Sequence, residues 1–178
     1  MTRGRAAYAA LLCLTLAVYV VIVGWSLPRI ATGAGGLMPF DLRPGGYSFD
    51  AARTFLGALD RQTTDFYLDV QQRIDTVYPA LLALTLATGI WVLTRRAPLW
   101  LRLAAVVLCV LGAGFDWLEN LRVAALLRAG PEAVTQQMVA AASRATVLKS
   151  AASALAMTAL LAALVLCGWR NIRRRTNG

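Results

Sequence analysis

The sequence predicts an all-α protein, a four-helix transmembrane bundle whose helices extend beyond the membrane on the outer side, with a short amphipathic helix in the first outer loop. Three observations predict this fold. The chain of 178 residues is 58% hydrophobic and only 15% charged, whereas charged side chains make up about a quarter of an ordinary soluble domain. Four stretches are apolar over the length of a membrane span, and all acidic residues fall on one side of those stretches. Residues 1–178 are predicted to form a single integral membrane domain.

The positions of the spans follow from length and charge. A helix needs about 20 apolar residues to cross roughly 30 Å of hydrocarbon. Three stretches reach about that length without a charge. The fourth contains Arg102 near one end and Asp116 near the other, but its run from Leu103 to Phe115 is wholly apolar. Long side chains at span ends reach the interface, so we predict spans at about residues 6–27, 75–94, 97–119 and 149–169.

The first stretch has an alternative interpretation as a cleaved signal peptide, because Arg3 and Arg5 precede its apolar run. A signal peptide has an apolar core of about 7–15 residues followed by a small-residue cleavage site. The run here is longer, and no clear A-x-A site follows it. We therefore predict a membrane anchor.

The distribution of charge predicts that both termini lie in the cytoplasm. With four spans, the two termini and the short connection 95–102 share one side, which carries nine bases and no acid, while the other side carries nine bases and all nine acids. The nine bases of the first side are Arg3, Arg5, Arg95, Arg96, Arg102, Arg170, Arg173, Arg174 and Arg175. Short basic loops mark the cytoplasmic face. The protein is therefore predicted to be multi-pass in the inner (plasma) membrane, and its net charge of +9 needs no nucleic-acid partner.

The first outer loop is predicted to be irregular and then helical. Glycine and proline are dense from Pro28 to Gly46, which prevents regular structure. Ser48 is an N-cap residue type, and apolar residues recur at helical spacing from Phe49 to Leu59. Such an amphipathic helix is suited to capping the bundle or to lying on the membrane surface.

The second, third and fourth spans are predicted to continue outside the membrane as helices. A start signal at Thr63 or Thr64 precedes the second span, and Pro79 should kink that helix and free a backbone carbonyl. Gly130 is predicted to end the third helix and Pro131 to open the fourth.

Ionisable residues from three helices are predicted to meet at the outer boundary. Counting 20 residues from the inner end of each span places Asp75, Glu119 and Lys149 at one level, with Asp116 nearly one turn deeper. A carboxylate inside a membrane helix costs about 2.5–3.5 kcal/mol on insertion scales and usually finds a partner in the protein interior. Lys149 and Arg43 are the predicted partners.

Two interpretations of these charges remain open. Acids and a lysine at one depth can supply a general acid beside a general base. Alternatively, ion pairs that also include Arg122 or Arg144 only fix how the helices dock. The predicted catalytic residues are Asp116, Glu119, Lys149 and Asp75, and the predicted binding residues are Arg43, Asp41, Asn120, Tyr78 and Trp117.

Short polar motifs along the chain resemble a family of small, functionally uncharacterised bacterial four-span membrane proteins. These motifs are Asp41-Leu-Arg43 with Gly46-Tyr47, Asp75-x-x-Tyr78-Pro79, Phe115-Asp116-x-Leu118-Glu119-Asn120, and Thr146-x-x-Lys149. The D-x-x-E-N element in the third span is the most specific part. The resemblance implies that these polar positions belong together, and it implies no particular reaction.

The missing residue types narrow the chemistry. The chain has no histidine, which excludes histidine metal sites, Ser-His triads and haem ligation by histidine. Its three cysteines lie in three different spans without a C-x-x-C pair, and no phosphate-binding glycine motif is present. A divalent cation on Asp75, Asp116 and Glu119 is disfavoured by the nearby bases. No metal and no cofactor are predicted.

These features favour two functions. The first is binding of, or acid–base chemistry on, a lipid-like apolar substrate at an outward-facing polar site. The alternative is an accessory or scaffold subunit that uses the amphipathic helix to hold a partner membrane protein. A transporter has the least support, because the chain shows no repeat and no charge near the middle of a span. The predicted partners are membrane lipids, a lipid-like small molecule or a membrane protein.

Overall fold

The computed structural model describes residues 3–176, without the side chains of 170, 171 and 174–176. Arg170, Arg174 and Arg175, three of the bases on which the predicted orientation depends, therefore lie outside the described side chains. Within this range the longer elements are helices, namely α1 Arg3–Gly33, α2 Phe49–Ala58, α3 Arg61–Leu93, α4 Leu99–Ala133 and α5 Gln136–Thr176. Helices α1, α3 and α4 and residues Gln136–Trp169 of α5 are each long and apolar enough to cross a membrane. This is the architecture of a multi-pass membrane protein.

The four long helices do not pack equally on one another. Helix α4 packs most extensively on α3 and α5, which also touch each other, whereas α1 packs mainly on α3. Polar and aromatic pairs join α1 to α3, since the hydroxyls of Thr15 and Thr85 lie 2.8 Å apart and the ring of Tyr19 stacks on that of Tyr78 with centroids 6.1 Å apart. Helices α3, α4 and α5 therefore form the centre of the bundle, with α1 on one side.

At one end the long helices continue past the predicted spans into a folded head, which we define as residues 28–74 and 120–148. Most of the largest fully buried apolar side chains lie in the head, among them Phe40, Phe55, Tyr67, Leu126 and Val139. The buried cluster between the spans is smaller and consists of Leu86, Ile90, Cys109 and Ala156. Burial of apolar surface is the main stabilising term in water, so a core of this kind suits a head that projects from the membrane.

The first helix is longer than the sequence predicted. A loop was expected from Pro28, but α1 runs through Pro28 to Gly33. A π-helical turn spans Ile22–Ser26, in which the N–H of Leu27 donates to the carbonyl of Ile22. Such a wide turn inserts an extra residue into the helix and lets the chain accommodate a proline that would otherwise disrupt the regular ladder.

Two side chains in the head cap the starts of α2 and α3. Ser48 caps α2 as predicted, because its hydroxyl accepts the N–H of Ala51 at 3.2 Å. The start of α3 was predicted wrongly at Thr63 or Thr64. Asp60 is the cap, since its carboxylate accepts the N–H of Thr63 at 2.6 Å, and this hydrogen bond lowers the pKa of the exposed Asp60 carboxyl.

The junction between α4 and α5 also differs from the prediction. Gly130 has φ +66° and interrupts the regular helix, as a glycine in the left-handed region does. Pro131 opens only one more turn, because Val134 is extended. Helix α5 starts again at Gln136, where the hydroxyl of Thr135 accepts the N–H of Met138 at 3.2 Å. The expected helix from Pro131 onward is therefore wrong by about one turn.

Candidate functional site

Lys149 of α5 joins two acids of α4. Its Nζ lies 3.2 Å from Oδ1 of Asp116 and 2.6 Å from Oε2 of Glu119. The side chains of Asp116 and Glu119 are 7% and 0% exposed, and that of Lys149 is 21% exposed. Residues three apart share one face of a helix. The spacing of Asp116 and Glu119 therefore places both acids on one side of α4, and this side packs on α5.

A third helix brings Asp75 to the same place. Asp75 is buried, and its Oδ2 accepts a hydrogen bond of 2.6 Å from the side-chain amide of Gln71, one turn earlier on α3. Asp75 also interacts electrostatically with Lys149, Asp116 and Asp41. We refer to Asp41, Asp75, Asp116, Glu119 and Lys149 as the acidic cluster.

Asn120 and Trp117 of α4 donate hydrogen bonds to backbone carbonyls of α3 in the turn before Pro79. Proline has no N–H, so the carbonyl of Asp75, four residues earlier, loses its helical partner. The side-chain amide of Asn120 donates to that carbonyl at 2.9 Å, and the indole N–H of Trp117 donates to the next carbonyl, that of Thr76, at 3.0 Å. The freed carbonyl that the sequence predicted is present, and a neighbouring helix satisfies it.

Asp41 reaches the acidic cluster from the loop between α1 and α2. Its Oδ2 accepts a hydrogen bond from the hydroxyl of Tyr67, which is fully buried on α3. Asp41 also interacts electrostatically with Asp116, Glu119 and Lys149. The first loop is therefore part of the site.

Tyr47 attaches the same loop to α5. Its backbone N–H donates to the hydroxyl of Ser143 at 2.9 Å. The preceding Gly46 has φ +82°, and a Cβ there would lie only 2.5 Å from that hydroxyl, so glycine is required on both grounds. Burial is the main cause of a raised pKa of the Tyr47 phenol, and the negative charges of Glu119 and Asp41 raise it further. Tyr47 therefore stays neutral beside Glu119 and Asp41.

Arg43 does not pair with the acids, and the prediction that it does is wrong. Its guanidinium donates two hydrogen bonds, of 3.0 and 2.6 Å, to the carbonyl of Met38 and lies 5.6 Å from the centroid of the Phe40 ring. Arg122 and Arg144, the other predicted partners, are exposed and form none of the ion pairs between described side chains. Arginine at position 43 instead stabilises the loop itself.

A narrow cavity leads from the middle of the bundle to Asp116, and we call it the apolar slot. It lies between α3, α4 and α5, begins near Leu86, Cys109 and Ala156, and ends at Asp116, the one charged side chain in its lining. Its accessible volume is about 10 Å³, which is about the minimum needed to hold one water molecule. Apart from Ser153, the slot is lined by apolar and small residues up to the carboxylate of Asp116.

The structure thus brings together four predicted catalytic residues, Asp75, Asp116, Glu119 and Lys149, and two of the predicted binding residues, Asp41 and Asn120. Of the other binding residues, Trp117 is 43% exposed at the edge. Tyr78 stacks on Tyr19 between α1 and α3, and its phenol also interacts electrostatically with Asp116, Lys149 and Asp75. Arg43 remains in the loop.

Tyr67 and Gln71 are site residues that sequence reasoning missed. Together with Asp75 they recur every four residues, which places polar groups on one face of a helix. This spacing is the signal that could have revealed them. Its geometry was not predictable, because Tyr67–Gln71 form a π-helical turn.

No protein-family model, characterised protein or solved structure matches this chain. The resemblance to a bacterial four-span family therefore stays a prediction. Among the described residues, no group of three or more Asp, Glu, His or Cys side chains is arranged to hold a metal ion.

Proposed function

We propose that this protein is a bacterial inner-membrane protein, with both termini in the cytoplasm, whose outward-facing acidic cluster binds a lipid-like molecule or performs acid–base chemistry on it. One observation carries the proposal. The apolar slot runs through the membrane-spanning part of the bundle and ends at Asp116, which is ion-paired to Lys149. Ligand sites are mostly apolar with a few convergent polar groups, and the slot has this kind of lining, although it must widen to hold a molecule larger than water.

The orientation is supported by charge. The head carries six of the nine acidic residues, and the remaining three, Asp75, Asp116 and Glu119, lie at its base. The opposite end carries only bases, among them Arg95, Arg96 and Arg102 in the short connection. Short basic connections remain in the cytoplasm, which directs the head outward.

The chemistry of the cluster suits proton transfer. The carboxylate of Asp116 is the group at the end of the slot, where it can accept a proton from a polar group of a bound molecule. Lys149 lies between Asp116 and Glu119, so its positive charge balances the carboxylate that is ionised at that moment. Asp116 is the residue that touches the ligand in this proposal, and Glu119 positions Lys149.

Replacing Asp116 by asparagine is expected to remove ligand binding while leaving the fold intact. The Lys149–Glu119 pair remains in this variant, so the melting midpoint should change by no more than a few degrees. Wild-type protein and Asp116→Asn would be extracted into lipid nanodiscs, and the amphiphiles that co-purify would be compared by mass spectrometry. We expect an amphiphile enriched with the wild type to fall about tenfold in the variant.

The matched control is Asp69→Asn, which removes an exposed acid from α3 and should keep the wild-type set of amphiphiles. If Asp116→Asn also keeps that set, Asp116 does not bind a ligand. If it instead melts early or fails to insert, the charges serve the fold.

A second candidate function is an accessory or scaffold subunit in which the charges only dock the helices. The complete burial of Glu119 and the small volume of the slot favour it, because both describe a closed interior. In that case a partner membrane protein would contact the head, and Asp116→Asn would reduce stability without changing any bound amphiphile.

A further inference from the structure

The acidic cluster contains more negative than positive charge. Asp41, Asp75, Asp116 and Glu119 all interact electrostatically with Lys149, and even if Arg43 at the edge is counted, two carboxylates remain without a base. Burying an unpaired charge is costly unless a counter-charge or a proton accompanies it. A cluster that only docked helices would be closer to neutral.

Two buried atoms, one in the acidic cluster and one on its neighbour Gln71, also lack hydrogen-bond donors. Gln71 is fully buried and directs its amide N–H₂ to Asp75, and its Oε1 has no hydrogen-bond partner. Oε1 of Glu119 is equally buried and accepts no hydrogen bond, since the nearby hydroxyl of Thr146 donates to the carbonyl of Ala142. Buried acceptors without donors are uncommon in folded proteins. A ligand that donates hydrogen bonds would satisfy both atoms.

From this surplus of charge, the two unpaired acceptors and the adjoining apolar slot, we infer that the ligand of the site is an amphiphile with a primary ammonium head. An ammonium group donates three hydrogen bonds and accepts none, so it complements carboxylates and amide oxygens together. The slot extends over eight residues of α4, from Cys109 to Asp116, whose seven helical steps span about 10 Å. A short alkyl chain attached to the ammonium has that reach once the slot opens.

This inference rests on the proposed function, since it names the chemical class that the same site takes. A divalent metal is a poorer complement, because the described acids are not arranged to hold one. Protons alone would neutralise the surplus carboxylates, but they would not fill the apolar slot.

The test uses three probes of equal chain length, octylamine, octanol and octanoate, added to the full-length protein in nanodiscs. Binding is measured by the rise in melting midpoint as each probe is titrated. We expect octylamine to bind about tenfold more tightly than octanol, because charge-assisted hydrogen bonds are stronger than neutral ones, and octanoate to bind most weakly. Asp75→Asn should weaken octylamine binding several-fold, whereas Asp69→Asn on the exposed face of α3 should not.

Octanol binding as tight as octylamine, or equal octylamine binding by Asp75→Asn and the wild type, would overturn the inference. The proposed function would survive that result if Asp116→Asn still lost its co-purifying amphiphile. If both the octylamine preference and the effect of Asp116→Asn were absent, the protein would have no ligand site here. Failure of the inference and failure of the proposed function therefore give different results. Effects of octylamine on the bilayer itself are expected to be the same for Asp69→Asn and Asp75→Asn, and they cancel in that comparison.

Discussion

Replacing Lys149 by methionine is expected to destabilise the protein by about 3–5 kcal/mol, because it leaves two buried carboxylates without their counter-charge. Glu119 is fully buried and Asp116 nearly so, so neither can be solvated where it lies. For a chain of this size the loss corresponds to a fall of about 10 °C or more in melting midpoint. Thermal unfolding in detergent, followed by circular dichroism, measures it.

The exposed ion pair between Arg53 and Glu132 provides the control. Its atoms are 3.7 Å apart, and its side chains are 53% and 87% exposed. Exposed pairs contribute about 0–1 kcal/mol, so Glu132→Gln should melt within a few degrees of the wild type. Neutralising both acids in the Lys149→Met background, as Asp116→Asn with Glu119→Gln, should restore much of the lost stability. A Lys149→Met protein that melts like the wild type would show that the two carboxylates do not depend on Lys149.

Replacing Asn120 by leucine is expected to cost about 1–3 kcal/mol, because the buried carbonyl of Asp75 then has no donor. The loss depends on Pro79, which is the reason that this carbonyl lacks its helical N–H. In a Pro79→Ala background the N–H of residue 79 satisfies the carbonyl. There, Asn120→Leu should cost distinctly less.

A double-mutant cycle of Asn120→Leu and Pro79→Ala measures this dependence as a coupling energy. We expect about 1 kcal/mol or more, with the double variant more stable than the sum of the single variants predicts. Purely additive effects would mean that Asn120 acts on α3 by some route other than the carbonyl of Asp75. Leu118→Ala, at an exposed position on α4, serves as an additive control.

The long-range features of the fold follow from simple patterns in the sequence. Apolar length predicts the four long helices, and helical spacing predicts that Gly112, Asp116, Asn120 and Val123 share a face of α4, where all four are buried. Depth counting from the inner ends predicts that Lys149 is level with Glu119, and the structure places those two groups 2.6 Å apart. Because the rise per residue of an α-helix is uniform, counting residues from the inner end of a span predicts depth correctly over about 20 residues.

The features that were predicted wrongly depend on local geometry or tertiary contacts. Proline usually ends a helix, and the π-helical turn that precedes Pro28 has no simple sequence signal. The sequence therefore predicts that α1 ends before Pro28, which is too early. Arg43 was assigned to the acids because of its charge, but the nearest acceptor in its own loop is the carbonyl of Met38. Loops lack the regular spacing of helices, so the sequence does not predict which group a loop side chain will contact.

The central claim is that the spans hold the acidic cluster at the outer surface of the membrane, and cysteine labelling tests it most directly. Thr54 on α2 is exposed in the head, and Ala97 lies in the basic connection between α3 and α4. Each would be replaced by cysteine in a chain whose native cysteines are changed to alanine. In intact cells, a membrane-impermeant maleimide should label Thr54→Cys, and it should label Ala97→Cys only after the membrane is permeabilised. Labelling of Ala97→Cys but not Thr54→Cys in intact cells would contradict the account.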